Sequence, residues 1–315
     1  MAEIYRNKFA LPPLPPSGSF TNKHILITGG TSGLGLASAV HFINLGAPSV
    51  TITGRTLASA SAAKLEIEKQ TGTSNIVKIR ELDQSTLSSS AAFAEALVKD
   101  EEKLDIIVLN AGCYMTKFEA STEGFEMGIQ VNVLGTTLLA LLLLPWLKKV
   151  SNGTGHLCVV SSGVHREVPL STLPQTDVLG FYSKPENFPT GKVDIYYISK
   201  LLLQYCVREV AALAEGKVVV NPLCPGMVKS NLARHHKTNA AIGLVADIFM
   251  TLCCKTAEGG ARTVIKAALS EENGLMVAEV IFSPEGEKMQ KQVWNEVLAI
   301  LSKVRPEVME VAKSA

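Results

Sequence analysis

No basic block runs through this sequence. Thirty basic side chains face 29 acidic ones over 315 residues, and that balance excludes nucleic acid or polyanion binding as the main role. Metal-ligand patterns are also missing. The six cysteines, Cys113, Cys158, Cys206, Cys224, Cys253 and Cys254, form no CxxC and no Cys/His set at ligand spacing, so no metal site is expected. Their scatter suits a reducing compartment, and the vicinal Cys253 and Cys254 read as half-buried thiols. The opening has no apolar stretch of the kind a secretory leader needs, which gives a cytoplasmic expectation. Neither apolar run is long enough for a bilayer: 138–147 carries Pro145 and 240–254 contains Asp247. Both read first as buried or interface helices, with peripheral membrane contact by the second as the lesser reading.

What is present is ample apolar content, 47%, and a regular alternation of short strands and helices. Residues 1–22 form a proline-rich arm with Leu11-Pro12-Pro13-Leu14-Pro15-Pro16, read as an extended segment along the domain or an unstructured lead-in. Folding proper is expected from Lys23 in a single domain, 23–315. Strands are expected at 24–28, 49–53, 76–82, 104–109, 156–160, 217–221 and 275–282. Helices are expected at 36–45, 86–99, 125–150, 196–214, 256–269 and 287–302. This order predicts an α/β fold, a doubly wound parallel sheet of the Rossmann type, with ligands beyond the carboxyl ends of the strands.

The first strand runs into Gly29-Gly30-Thr31-Ser32-Gly33-Leu34-Gly35 and then a helix. Glycines placed there let the backbone turn tightly and approach a pyrophosphate at the helix N-terminus. The spacing Gly29-x-x-x-Gly33-x-Gly35 differs from GxGxxG. An acidic residue at the end of the second strand would hold a ribose 2′-hydroxyl. Arg55 stands there instead and suits a 2′-phosphate, so the cofactor reads as NADP(H) rather than NAD(H).

Tyr196 and Lys200 lie four positions apart, on one face of the helix expected at 196–214. An ammonium beside a phenol favours phenolate, lowering a pKa that is ordinarily ~10 and fitting the tyrosine for proton transfer near neutrality.

In order along the chain, Thr28 to Gly35, Asp83, Asn110-Ala111-Gly112, Asn132, Ser161-Ser162, Tyr196-x-x-x-Lys200 and Pro225-Gly226-Met227-Val228-Lys229-Ser230 each fall at a strand end or on a helix. In this set, over roughly residues 23–300, the chain resembles short-chain dehydrogenases/reductases of the classical type. The resemblance implies that Tyr196 is the general acid or base. It implies that Lys200 lowers its pKa and binds the nicotinamide ribose, and that Ser162 holds the substrate carbonyl. Asn132 would support a water relay or, more plainly, kink its helix. The same resemblance assigns cofactor contacts to Gly29, Thr31, Ser32, Gly33, Leu34, Gly35, Arg55, Asp83, Asn110, Ala111, Gly112, Tyr196, Lys200, Pro225, Gly226, Val228 and Ser230. Asp83 would lie near the adenine, Asn110 near the adenosine ribose, and Val228 and Ser230 at the carboxamide.

One departure is the long stretch between Ser162 and Tyr196, an insert at about 163–195. It is similar to the retinol-dehydrogenase-like and fungal natural-product branches of the family. With a second variable segment at 231–255, it is expected to wall a hydrophobic small-molecule substrate; the apolar part of that second segment equally fits a core or interface helix. His235 and His236 read as exposed loop residues. The implied reaction interconverts a carbonyl and an alcohol with NADPH. The same scaffold also allows C=C or C=N reduction, a rearrangement, or a non-catalytic NADP(H) sensor. The helices carrying Asn132 and Tyr196 are heavy in leucine; the resemblance implies that such helices form a homodimer or tetramer interface, with a monomer the alternative among long-insert members.

Overall fold

A computed structural model describes residues 2–151, 153–189, 191–229, 250–271, 273 and 279–313. Six strands form one parallel sheet: β1 (His24–Ile27), β2 (Ser49–Gly54), β3 (Val77–Glu81), β4 (Ile106–Leu109), β5 (Gly155–Val160) and β6 (Val218–Leu223). Their order is β3-β2-β1-β4-β5-β6, so the chain reverses its winding between β1 and β4. Helices occupy both faces, as buried parallel strands require. Along β1, Ile25 and Ile27 pack into one core and Leu26 into the other, the period of two that a strand imposes.

In chain order the helices are α1 (Ala2–Phe9), α2 (Gly33–Asn44), α3 (Leu57–Thr71), α4 (Leu87–Asp100), α5 (Thr136–Val150), α6 (Val178–Tyr182), α7 (Ile195–Leu213), α8 (Ala257–Ala267), α9 (Glu279–Phe282), α10 (Pro284–Leu301) and α11 (Val308–Lys313). Four of them start on a hydroxyl cap. Thr56, Thr86, Thr256 and Ser283 accept N–H bonds from Ser59, Ser89, Gly259 and Gly286 at 3.2, 3.3, 3.1 and 3.0 Å, each worth ~1 kcal/mol. A π-helical stretch, Ile129–Gly135, leads into α5. From Ile129 to Val150 the helix is long and apolar enough to cross a membrane, yet 83% of its most apolar window is buried. It is a core helix, and its leucines pack within the chain.

Three expectations need correction. The run at 275–282 is not a strand where it is described: Glu279–Phe282 forms a helical turn leading into α10, because a short apolar run fits either conformation. The proline-rich arm begins with a helix, α1, and the core begins before Lys23. Phe20 is fully buried, with its ring edge-on to Phe42 at 4.8 Å. Helix α3 goes unread in the sequence because only Ala60, Ala63 and Ile67 are buried on it, a stripe of small side chains with little periodic signal.

Candidate active site

The reversal between β1 and β4 opens a crevice at the carboxyl ends of the strands. Thr28 closes its floor. Its buried hydroxyl accepts the N–H groups of Asn110 and Ala111 at 3.0 and 3.1 Å, joining the ends of β1 and β4. Asn110 returns the tie, donating from Nδ2 to the carbonyls of Thr28 and Gly29 at 2.9 and 3.1 Å. Gly29 and Gly33 adopt φ of +64° and +53°, a region that favours glycine. At Gly35 a Cβ would fall 2.5 Å from the Gly29 carbonyl and 2.6 Å from Asn110 Nδ2, so only glycine fits. Ser32 caps α2 without a side-chain bond, and the first turn of α2 holds no acidic residue. Its first N–H groups therefore stay available for an anion.

Around this cradle, Arg55 is exposed just past β2. Asp83 follows β3 by two residues; its N–H donates to Ser89 Oγ and its carboxylate accepts from the Ser85 N–H at 3.0 Å. Thr31 and Ser32 stand on the loop with Leu34 at the start of α2. Ala111 approaches Gly29 closely enough that a Cβ there would lie 2.9 Å from Ala111 Cα.

The reacting cluster lies on the other side of the crevice. Helix α7 begins at Asp194, whose Oδ1 accepts the N–H groups of Tyr196 and Tyr197 at 2.9 and 3.2 Å. That cap fixes where Tyr196 emerges. Ser162, which follows β5, stands close enough to the Tyr196 phenol to act on its ionisation. One turn further, Lys200 is buried, its Nζ 5.6 Å from the centroid of the Tyr196 ring and 2.9 Å from the Val160 carbonyl. Asn132, in the π-helical stretch, accepts the Cys113 N–H at 2.9 Å. It donates to the Cys113 carbonyl and to Ser199 Oγ, each at 3.0 Å. Both of its donors are thereby used and its helix departs from α geometry. A Cβ on Gly112 would sit 3.0 Å from Asn132 Oδ1 and 3.9 Å from Lys200 Nζ, so the Asn110-Ala111-Gly112 loop reaches the same cluster.

Burial acts on both ionisable groups of the cluster. Desolvation raises the Tyr196 phenol above its ordinary range; Ser162 acts against this without overcoming it. The same burial brings the Lys200 ammonium down to about 8. Desolvation disfavours the charged form of each group. At neutral pH Tyr196 stands protonated, a proton donor.

Further residues complete the site. Tyr114 packs against Tyr196 with ring centroids 4.9 Å apart and donates its hydroxyl to Asp194. Cys224 Sγ accepts N–H bonds from Gly163 and Gly226 at 3.2 and 3.3 Å, tying the loop after Ser162 to the Pro225-Gly226 turn. His165 donates from Nδ1 to the Ser162 carbonyl at 2.6 Å, and burial lowers its pKa, leaving a neutral ring. Ser161 is a buried strand-end serine whose N–H bonds the Leu223 carbonyl at 2.8 Å. Val228 lies against α8 and Leu34, since a Cβ on Gly260 would meet Val228 Cγ2 at 2.6 Å and Leu34 Cδ1 at 3.2 Å. Ser230, His235, His236 and most of the second variable segment lie outside the described residues. Asp194 was open to discovery as an N-cap just ahead of Tyr196; Tyr114 and Cys224 carry no such signal.

The insert is ordered into short turns and α6. Its Val178 and Leu179 N–H groups donate to the Glu296 carboxylate on α10 at 3.0 and 3.1 Å. Phe188 packs edge-on to Phe118 at 6.1 Å.

Sheet order, glycine turn and helix start together define a Rossmann-type domain built for a dinucleotide. The model of the short-chain dehydrogenase family matches residues 23–172. A short-chain dehydrogenase/reductase of Aspergillus flavipes, ffsI, is 34% identical over 313 residues, covering 94% of this chain and 91% of its own. Another, phmF of Phaeosphaeria nodorum, is 34% identical over 320 residues, covering 96% and 94%. Among solved structures, L-sorbose reductase from Gluconobacter frateurii, in complex with NADPH and L-sorbose, superposes with a TM-score of 0.62 at 18% identity. The match covers 84% of this chain and 100% of that one. An uncharacterized protein from Mycobacterium paratuberculosis gives 0.62 at 23%, covering 92% and 96%. The chain belongs to the short-chain dehydrogenase/reductase family, enzymes that use a nicotinamide cofactor.

Proposed function

We propose that this enzyme interconverts a carbonyl and an alcohol on a hydrophobic small molecule with NADP(H). The observation that carries the reading is the contact of the Tyr196 phenol with Ser162 above a buried Lys200, on the rim of a glycine cradle. The cradle fits a dinucleotide: Gly35 leaves room for nothing larger, and the first turn of α2 offers unpaired N–H groups to a pyrophosphate. Thr31, Ser32, Gly33 and Leu34 would hold the phosphates, Asp83 and Asn110 the adenosine, and Arg55 a 2′-phosphate. Lys200 would bind the nicotinamide ribose and Val228 would adjoin the carboxamide. NADPH is present in the L-sorbose reductase relative, in keeping with Arg55.

When bound, the cofactor supplies or accepts hydride at the substrate carbon. Tyr196 donates its phenolic proton to the carbonyl oxygen, and Ser162 steadies that oxygen by hydrogen bonding. The raised phenol pKa keeps the proton in place until the oxygen becomes basic. Lys200 holds positive charge below the ring and disperses the phenolate that results. Asn132 fixes the loop through Cys113 and braces α7 through Ser199. The aromatic insert walls an apolar substrate, and the fungal relatives support a place in natural-product tailoring.

A panel of apolar ketones and aldehydes with NADPH tests this. Wild type is expected to turn over at least one class, and Tyr196→Phe to lose at least ~100-fold in kcat while binding NADPH as before. Equal turnover by the two proteins would overturn the assignment.

A further inference from the structure

The N-terminal arm is not a passive lead-in. Helix α1 places the Asn7 amide across the backbone of Met227, 220 positions away. Asn7 Oδ1 accepts the Met227 N–H at 3.0 Å, and Nδ2 donates to the Met227 carbonyl at 3.2 Å. One side chain thus satisfies both polar groups of one residue, as a neighbouring strand would. Nδ2 also reaches the Cys253 carbonyl at 3.4 Å. Beside it, Lys8 Nζ donates to the carbonyls of Thr251 and Leu252 at 2.6 and 3.0 Å.

The fit is close. Gly226 has φ +76°, and a Cβ there would fall 2.2 Å from Asn7 Oδ1, so glycine is demanded both by the turn and by the approach of Asn7. From the far side, Lys255 donates its N–H to the Met227 carbonyl at 3.0 Å and accepts that of Lys229 at 2.9 Å. Met227 and Val228 are therefore held between the arm and Lys255. Val228 in turn packs against Gly260 and Leu34, at the rim of the cradle.

We propose that Asn7 is a positioning residue for the nicotinamide half of the cofactor, acting through the Met227–Val228 backbone from outside the sheet. The inference rests on the cofactor site assigned above. Asn7 touches neither cofactor nor substrate; it sets the height of the strip that does. Its influence should end at the nicotinamide, because the adenosine end is assigned to the loops after β1, β2, β3 and β4, while Asn7 bonds Met227 and Cys253.

Titration calorimetry with NADPH and with 2′-phospho-ADP-ribose, which lacks the nicotinamide, separates the two ends. Asn7→Ala is expected to weaken NADPH about tenfold, the scale of losing paired neutral hydrogen bonds, and to leave the fragment's affinity unchanged. Unchanged fragment binding also shows that the variant is folded. Asn7→Asp keeps the size and the acceptor but loses the donor, and should fall between the two. Equal weakening of both ligands across the two variants, or no weakening of either, overturns the proposal while leaving the cofactor site intact. Failure of wild type to bind either ligand overturns the cofactor site itself, and the role of Asn7 with it.

Discussion

Asp194 joins Tyr114 to the first turn of α7: one carboxylate oxygen accepts the Tyr114 hydroxyl while the other accepts the backbone N–H of Tyr196. A single half-buried carboxylate thus ties the start of the Tyr196 helix to the Tyr114 ring packed beside it. Asp194→Ala should cost ~1 kcal/mol of stability through the lost cap, and should lower kcat by more than that loss explains. Denaturant melts and steady-state kinetics on the same variant read the two effects. Tyr114→Phe keeps the ring and the cap but frees the carboxylate. It should alter KM for the carbonyl substrate with little change in melting.

Arg55 stands exposed past β2, where a 2′-phosphate would lie. Arg55→Asp is expected to weaken NADPH by about ten- to a hundredfold, the value of one charge-assisted contact plus a new repulsion, and to spare or improve NADH. Fluorescence titration of both nucleotides checks this. Unchanged discrimination would remove the basis for choosing NADP(H).

Glu126 provides a pH signature unrelated to turnover. Its carboxyl is fully buried at the entry to the π-helical stretch, and burial pushes it up to about 7, opposed by the N–H groups of Gly128 and Ile129 and aided by the charge of Glu119. The ordinary carboxylate value of the unfolded chain lies near 4.5. The folded state therefore holds its proton more tightly than the unfolded one. The stability this confers is fully present below the unfolded value and is lost as pH rises through about 7, by up to ~3 kcal/mol. Urea midpoints from pH 5 to 8 should fall in wild type. Glu126→Gln should flatten that slope; an identical slope in the variant would assign the titration elsewhere.

The spacing of residues showed much of this site, because it depends on local geometry. Tyr196 and Lys200 share a helical face whatever surrounds them, and Gly33 and Gly35 mark a turn that any dinucleotide loop must make. The parallel sheet with helices on both faces followed from the alternation of strands and helices. Other features depend on three-dimensional surroundings that spacing does not carry. Tyr114 and Asp194 are 80 positions apart, and neither residue type signals the other. The ionisation of Tyr196 was read from its neighbour, and spacing carries nothing of the burial that also acts on it. The residues at 279–282 are apolar enough for a strand and short enough for a helical turn; their place before the Ser283 cap and Pro284 settles the choice. Helix α1 is too short to predict alone, and its partner Met227 lies 220 positions further along the chain.

The insert between Ser162 and Tyr196 buries Val168, Leu173, Val178 and Leu179 in the core and is also held by hydrogen bonds along its length. His165 holds its beginning to Ser162, Asp194 closes its end onto α7, and Glu296 fastens its middle. The residues proposed to hold the nucleotide lie elsewhere. The insert is thus like an exchangeable jaw on a fixed handle: its inner surface can be recut for a new substrate while the grip on the cofactor and the proton donor stay as they are. A lineage of such enzymes could change its customers by editing some thirty consecutive residues, without ever passing through a form that no longer binds its nucleotide.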